Sequence, residues 1–571
     1  MRRSLSKQTE KEYDLAVIGG GIYGISVARD AALRGFTVAL VDQGDFGNAT
    51  SSNLHKIIHG GLRYLQHGDV KRMRESIRER SILMRIAPHL IDPLPFLIPL
   101  YRDVRPGKFV TAAALKLNDL IGFDRNRRID PDKLIPAGRI ISRDHCRQLC
   151  PLLDQAGLTG GALFYDAQVH NADRLNLSLL LSATKAGADA ANYAEVTGFL
   201  RDGKRVKGIK VKDTLSGTVC DVRARLVVNC AGPWMDRLLQ LLQIRSSENV
   251  RWCKAVVLVT RRLVENIAVG VRSRFHYDDR DALFNKGYRF FFVTPWRDKS
   301  LIGTFQSPYG ENPEDIKVSE RELRRYIQEI NAAFPEAGIK RRDLFFVYRG
   351  LLPVSNESLN NGGINLIKHF AITDHAEASG VEGLVSVLGV KYSTARDVAE
   401  KVVDLAGRKL GQSSTSCRTA STPIAGGEMD FFQAFKTRQL EPTGTVSPDI
   451  FEHLIRTYGS EYSRIIEYCH NDRELSARVT TGSPVIRAEV LHGVRHEMAQ
   501  TLADVVFRRT ELGTAGYPGD ACLKSCAGIM AAELRWDQEQ TWREIEEVKK
   551  AFEERGEKRW QICAAARTNG V

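Results

Sequence analysis

A short apolar run that ends directly in three glycines, close to the start of the chain, constrains the fold more than any other stretch. Residues 13–18 (Tyr-Asp-Leu-Ala-Val-Ile) suit a strand buried on both faces of a parallel sheet. Gly19, Gly21 and Gly24 follow in G-x-G-x-x-G spacing. In such a turn the first glycine permits the tight bend and the second lets backbone approach a pyrophosphate. The third lets the following helix pack closely on the strand. A helix is predicted over residues 22–34, with Ala28, Ala31 and Ala32 on its packed side and Gly35 as its stop. Residues 36–41 (Phe-Thr-Val-Ala-Leu-Val) form a second strand. Asp42 at its end can accept the ribose hydroxyls of an adenosine. Strand, glycine turn, helix, strand and acid in that order specify a dinucleotide-binding βαβ unit. The unit serves NAD or FAD, and its place at the start of the chain leans towards FAD.

A chain of 571 residues has room for about two to four domains. Its 43% hydrophobic and 26% charged residues are those of an ordinary globular protein. No run of about 20 apolar residues occurs, so no transmembrane helix is expected. The most apolar stretch, residues 86–100, is interrupted by Pro88, Pro93, Pro95 and Pro99. The first residues are charged and lack the apolar core of a signal peptide. Scattered cysteines without C-x-x-C pairs suit a reduced, cytosolic setting. His492, His496 and Cys469 read as structural, and no metal is expected. The net charge of +13 favours an anionic partner: nucleic acid, an acidic membrane surface or a phosphorylated substrate.

Residues 49–65 read Ala-Thr-Ser-Ser-Asn-Leu-His-Lys-Ile-Ile-His-Gly-Gly-Leu-Arg-Tyr-Leu. This string closely resembles the A-T-S-S-x-x-x-K-[LI]-I-H-G-G-L-R-Y-L signature of the FAD-dependent glycerol-3-phosphate dehydrogenases. Residues 226–234 (Leu-Val-Val-Asn-Cys-Ala-Gly-Pro-Trp) resemble that family's strand and turn near the dinucleotide. Residues 383–396 (Gly-Leu-Val-Ser-Val-Leu-Gly-Val-Lys-Tyr-Ser-Thr-Ala-Arg) resemble its last flavin segment, a loop leading into a helix whose N-terminus faces the flavin. The last 150 or so residues resemble its helical C-terminal domain. There Val490, Val494, Met498, Leu502 and Val505 recur at helical spacing, and Arg508-Arg509-Thr510 matches a double-arginine feature. The likeness runs from Asp14 to about Glu554.

The resemblance implies an α/β fold with a Rossmann-like FAD-binding domain over residues 10–240, completed by 365–410. A β-rich substrate cap over 241–364 and a C-terminal α-helical domain over 425–571 complete the expected architecture. It implies FAD held by Gly19, Gly21, Gly24, Asp42, Thr50, Ser51, Ser52, Lys56, Gly60, Gly61, Ala231, Gly232, Gly389 and Lys391. Hydroxyls and glycine amides of the signature can bond the pyrophosphate and the flavin edge, and Lys391 adds positive charge beside a helix N-terminus. On the catalytic side, Arg63 offers a fork for an anionic substrate, with His59, Tyr64 and Lys391 beside it. The implied reaction takes hydride from a secondary alcohol, sn-glycerol 3-phosphate to dihydroxyacetone phosphate. It then passes electrons to quinone or oxygen. No nucleic-acid partner is implied.

The cap departs from the family at three places. K-G-x-H reads Lys254-Ala255-Val256-Val257, without the histidine. Y-x-G-x-R-P reads Tyr348-Arg349-Gly350-Leu351-Leu352-Pro353, with Leu352 for the arginine. G-T-T-D reads Gly303-Thr304-Phe305-Gln306, without the acid. His55 is likewise unusual within the first signature. These changes leave two alternatives open: a paralogue oxidising another polyol, polyol phosphate or amine-bearing substrate, or a non-catalytic flavin-binding protein.

Residues 105–128 predict a basic amphipathic helix. Phe109, Val110, Ala113, Leu117, Leu120 and Ile121 share one face, and Pro106 suits the first turn. Lys108, Lys116, Arg125, Arg127 and Arg128 can reach lipid headgroups. The same region of the family docks on membranes. The expected location is the cytoplasm, peripheral on the inner face of the membrane.

Overall fold

A computed structural model describes residues 1–555, except 2, 4, 103–106, 245–249, 277–287, 356–363, 413–414 and 440–443. The predicted βαβ unit opens it. β1 (Glu12–Ile18) is an apolar strand buried from Leu15 onward. α1 (Ile22–Leu33) follows, and Gly35 takes φ +91° just beyond its end, a conformation that costs side-chain-bearing residues energy. β2 (Val38–Val41) starts later than its apolar run. Thr37 is diverted: its hydroxyl accepts from the Asp14 amide at 2.8 Å, and its own amide donates to the Asp14 carboxylate at 3.0 Å.

β1 pairs in parallel with β2 on one side and with β10 (Val219–Asn229) on the other, so Ile18 lies opposite both Val41 and Asn229. The sheet runs β16 (Ala371–Asp374), β17 (Leu384–Leu388), β10, β1, β2, β7 (Asp189–Ala191). A hairpin of β8 (Ala194–Asp202) and β9 (Arg205–Asp213) extends from β10. α1 packs against helices Ala172–Lys185 and Ala395–Leu410 in one large core. Parallel register brings the carboxyl ends of β2, β1, β10 and β17 to a common edge, where doubly wound sheets bind their ligands.

The second sheet runs β15 (Leu344–Ser355), β11 (Val250–Arg261), β14 (Lys299–Tyr309), β13 (Tyr288–Trp296), β12 (Ala268–His276), β4 (Ile91–Tyr101), β6 (Leu158–Val169), β3 (Ile57–Ile58). β5 (Arg139–Ser142) lies beside β6. The expected cap over 241–364 supplies β11–β15, but β3–β6 come from earlier in the chain, so the sheet crosses the expected boundary. Without them β12 would be an open apolar edge; β4 pairs with it in parallel at Phe96 and Leu97. Pro93, Pro95 and Pro99 do not stop β4. They occupy alternate positions on one edge, and β6 pairs along the strand from Ile91 to Tyr101.

The C-terminal region is helical, with Pro448–Tyr458, Ser463–Asn471, Arg487–Glu497, Asp520–Leu534 and Gln538–Glu554 as its main elements. The apolar repeat from Val490 to Val505 is buried throughout, but it is not one helix. Met498 at φ +55° ends Arg487–Glu497, and the chain later makes a wide π turn, Val505–Arg509. The helices share a core with the second sheet: Val490, Val505, Cys526 and Phe552 pack with Val257, Trp296, Phe346 and Tyr348. Among the described residues no helix is long and apolar enough to cross a membrane.

Candidate active site

Partial exposure recurs at the carboxyl edge of the first sheet, inside otherwise buried segments. Gly19, Gly21, Tyr23, Asp42, residues 50–55, residues 231–234 and residues 389–392 are all half-buried. Together they outline a cleft. Gly19 has φ +98°, and a Cβ there would stand 2.6 Å from the Cys230 carbonyl oxygen. A Cβ on Gly24 would stand 1.8 Å from the Gly19 carbonyl oxygen, so helix and turn touch only because residue 24 has no side chain. A Cβ on Gly21 meets only the Ser51 Oγ, at 3.2 Å. Gly232, at φ +55° in the turn after β10, has nothing within 4 Å of that position. Across the cleft Gly389 accommodates the ring of Tyr23, whose hydroxyl donates to the Lys391 carbonyl at 2.7 Å. The same hydroxyl accepts from the Val390 and Lys391 amides. A glycine turn, an acid at the end of β2 and backbone turns after β10 and β17 fit an FAD.

Asp42 is already engaged. Its carboxylate accepts from the Gly20 amide at 2.6 Å and the Gly44 amide at 2.9 Å, and burial pushes it up to about 6. Each oxygen keeps a second lone pair for a ribose hydroxyl. The signature hydroxyls are also engaged within the protein. Ser51 Oγ accepts from the Ile22 amide at the start of α1, and Ser52 Oγ donates to the Gly47 carbonyl. Thr50 Oγ1 bridges the amide and carbonyl of Leu351, tying the loop to β15. Lys56, at φ +58° and 1% exposed, holds its ammonium over the rings of Trp296 and Tyr348, and burial pushes it down to about 8. His55 Nε2 lies 3.2 Å from Thr294 Oγ1 and 3.3 Å from the Leu301 carbonyl. Burial pushes it down to about 3, so the ring is neutral at physiological pH.

The second half of the signature gathers charge. Gly61 at φ +89° turns the chain into a short 3-10 helix carrying Arg63 and Tyr64. Lys391 Nζ sits 4.0 Å above the Tyr64 ring, and the Arg72 guanidinium lies 4.3 Å from the same ring. Arg63 stands exposed on the same turn. Burial, with Arg72 nearby, pushes Lys391 down to about 7. Beside this cluster the Gly60 amide donates to Asp166 Oδ1 at 2.6 Å, and Arg80 donates to the same oxygen at 2.5 Å. His59 Nδ1 lies 3.5 Å from Asp166 Oδ2, with 46% of its side chain exposed. An exposed imidazole against a buried, doubly anchored carboxylate has the layout of a base and its orienting group.

Tyr64 and Lys391 thus meet although more than 300 residues separate them. Arg72, Arg80 and Asp166 were not anticipated. Arg72, Ser76 and Glu79-Arg80 recur along α2 (Val70–Ile86), and Ser76, Glu79 and Arg80 are buried there. A polar stripe at helical spacing was the available signal. On the cap, Val257 is buried in the core shared with the C-terminal helices, while Gln306 and Leu352 are half-buried. Arg349 pairs with Glu554 at 3.4 Å.

A family model described as FAD dependent oxidoreductase matches residues 14–390. A second, described as the C-terminal domain of alpha-glycerophosphate oxidase, matches residues 417–541. The chain is 34% identical over 554 residues to the glycerol-3-phosphate dehydrogenase of Synechocystis sp., covering 95% of this chain and 96% of that one. It is 30% identical over 541 residues to the glycerol-3-phosphate dehydrogenase of Mycobacterium leprae, covering 94% and 87%. Among solved structures, that of the glycerol-3-phosphate dehydrogenase from Bacillus halodurans complexed with FAD shares the fold. Its TM-score is 0.74 at 23% identity, with 96% of each chain covered.

Proposed function

Since the chain belongs to the family of FAD-dependent glycerol-3-phosphate dehydrogenases, we propose that it oxidises sn-glycerol 3-phosphate to dihydroxyacetone phosphate and delivers the electrons to quinone at a membrane surface. It is an FAD-dependent oxidoreductase with a small-molecule substrate and an electron acceptor. The observation that carries the substrate reading is the cationic cluster of Arg63, Arg72 and Lys391 around Tyr64, beside the His59–Asp166 pair.

The residues that would hold FAD are Gly19, Gly21, Asp42, Ala231, Gly232 and Gly389. Bound FAD supplies an acceptor for the hydride that leaves the substrate's secondary alcohol carbon. His59 takes the proton of the hydroxyl on that carbon. Asp166 holds the imidazole in orientation and stabilises the imidazolium that forms. Arg63 and Lys391 hold the phosphate, and Arg72 packs Tyr64 beneath Lys391. Anaerobic mixing with sn-glycerol 3-phosphate is expected to bleach the yellow holoenzyme. Holoenzyme that stays yellow with this substrate but bleaches with another polyol or polyol phosphate would transfer the reading to a paralogue, which the altered Gln306 and Leu352 favour.

Lys391 gives the site a pH dependence. A phosphate prefers the ammonium form, and the lysine sheds its proton as pH rises through about 7. The lysine's contribution to substrate affinity is therefore present below that pH and lost above it. kcat/KM for glycerol 3-phosphate is expected to fall about tenfold or more over the two units above it, the worth of one charge-assisted bond. In Lys391→Met the fall should vanish; a variant that keeps the wild-type profile excludes this role.

Membrane docking rests on α3 (Lys108–Ile121), whose only buried residue is Leu115. Phe109 is 93% exposed, Leu120 71%, and Phe123 just beyond the helix 79%. The face carrying Phe109, Val110, Ala113, Leu117 and Leu120 points away from the protein. One expected contributor is otherwise employed: Arg125 bonds the carbonyls of Asp119, Gly122 and Ile135 and pairs with Asp119, which takes it from the headgroups. Arg105 and Pro106 lie outside the described residues. Lys108, Lys116, Arg127 and Arg128 remain exposed around the apolar face. The protein is expected to sediment with anionic vesicles at low salt. Phe109→Asp combined with Leu120→Asp should weaken binding by about tenfold or more, since each side chain is worth ~1.5–3 kcal/mol of apolar burial. Equal sedimentation of the double variant would rule out α3 as the anchor.

A further inference from the structure

One turn of the C-terminal region reaches the segment that wraps the glycine loop. Arg508 and Arg509 lie on the π turn Val505–Arg509, with Asp504 just before it. Arg509 grips Asp45 with both terminal nitrogens, Nη1 to Oδ2 at 2.6 Å and Nη2 to Oδ1 at 2.7 Å. Arg508 donates through Nε to the same carboxylate, through Nη2 to Asp504 at 2.5 Å, and through Nη1 to Asn48 Oδ1 at 3.1 Å. Asn192 adds a donor to Asp45 at 3.0 Å. Asp504 is itself fixed by the Gln500 and Thr501 amides and the Tyr193 hydroxyl. Two acids and two arginines make a neutral set, and no side chain of the four is more than 8% exposed.

What Asp45 carries is the segment leading to the cofactor signature. The next residue, Phe46, lies against Gly20, where a Cβ would come within 2.4 Å of its ring. The Gly47 amide donates to the Gly20 carbonyl at 2.9 Å. The Gly20 amide in turn donates to Asp42, and Ser52 closes back on Gly47. The glycine turn is thereby held from its outer side by a segment that is pinned to the C-terminal region.

We propose that the Asp45–Asp504–Arg508–Arg509 quartet is a cofactor-retention clamp, through which the C-terminal helices set how tightly the glycine loop holds FAD. Its members are positioning residues. They act through Phe46 and Gly47 on a turn that must keep its amides aimed at a pyrophosphate. A planar bidentate fork fixes that orientation as a single lysine ammonium does not. The inference is independent of the substrate.

The test compares FAD release from holoenzyme of the wild type, Arg509→Lys, and Ile465→Ala. Ile465 is fully buried in a small core that helices Pro448–Tyr458 and Ser463–Asn471 share with Ile486 and Ala488 and that does not include Asp45, Asp504, Arg508 or Arg509. Ile465→Ala therefore lowers stability without touching Asp45. Release is followed as the rise of FAD fluorescence on dilution, at a temperature where each variant keeps native circular dichroism. Arg509→Lys is expected to release FAD on the order of tenfold faster than wild type, equivalent to ~1.4 kcal/mol. Ile465→Ala is expected to release it at the wild-type rate. Asn192→Ala, which removes one neutral donor to Asp45, should give a smaller increase and serves where Arg509→Lys does not accumulate. Wild-type release rates in Arg509→Lys and Asn192→Ala, or equally fast release from Ile465→Ala, would overturn the clamp.

Discussion

Replacing His59 by asparagine is expected to lower kcat with sn-glycerol 3-phosphate by about 10²–10⁴ while FAD stays bound, the usual loss when a positioned general base is removed. His59 is the histidine of the cleft that combines exposure with an anchored carboxylate partner. Its Nδ1 faces Asp166 at 3.5 Å, and Asp166 is fixed by the Gly60 amide and Arg80. His55, four residues earlier, is neutral and engaged by Thr294 and Leu301. Asparagine keeps a polar group of similar reach but offers no basic nitrogen. The measurement is the rate of anaerobic bleaching after rapid mixing with substrate, because release of product or reoxidation does not enter it. A variant that bleaches within a factor of about two of wild type would remove His59 from the mechanism.

The second large effect is at Gly21. Gly21→Val is expected to leave a folded, colourless protein, with FAD affinity reduced by about a thousandfold or more, ~4 kcal/mol. Gly21 has φ −76°, so the backbone accepts a side chain, and a Cβ meets only Ser51 Oγ at 3.2 Å. The added methyls would fill the space in front of the α1 N-terminus. There the amides and the positive end of the helix dipole would face the pyrophosphate under the proposed reading. Neighbouring glycines make poorer tests. A side chain at Gly24 collides with the Gly19 carbonyl, and one at Gly19 requires a left-handed backbone, so both would disturb the fold along with the cofactor. Stoichiometric FAD in purified Gly21→Val, with native circular dichroism, would show that this turn does not hold the pyrophosphate.

The first βαβ unit was legible because every part of its logic is local. A buried strand, a glycine turn and a helix are written in consecutive residues; β1 and α1 differ from expectation by one residue each, and β2 starts two residues late, where Thr37 is claimed by Asp14. The second sheet was less legible. β4 carries three prolines, which argue against a strand unless one sees that they share an edge, and its pairing with β12 joins residues far apart in the chain. The cluster around Tyr64 and Asp166 was half legible. Arg63, Tyr64, His59 and Lys391 stand in motif strings. Asp166 and Arg80 stand in none, because what makes them matter is the amide of Gly60 and a ring nitrogen of His59, supplied from elsewhere. The repeat from Val490 to Val505 marked burial correctly but hid the turn at Met498, since apolar spacing does not report a left-handed backbone.

The order of strands in the first sheet also dictates a timetable for the nascent chain. β1 leaves the ribosome about 200 residues ahead of its partner on one side, β10, which ends at Asn229, and β10 in turn waits for β17, which ends at Leu388. Until then the growing polypeptide presents an apolar strand edge with unsatisfied amides and carbonyls, a template for pairing with other chains. Translation pauses or truncations upstream of residue 229 therefore leave a species prone to aggregate. The edge formed by the ends of β2, β1, β10 and β17 is complete only once Leu388 has been made. Cofactor capture therefore has to wait for the segment after β17, and a cell short of FAD would accumulate apoprotein in which all four strands have already paired.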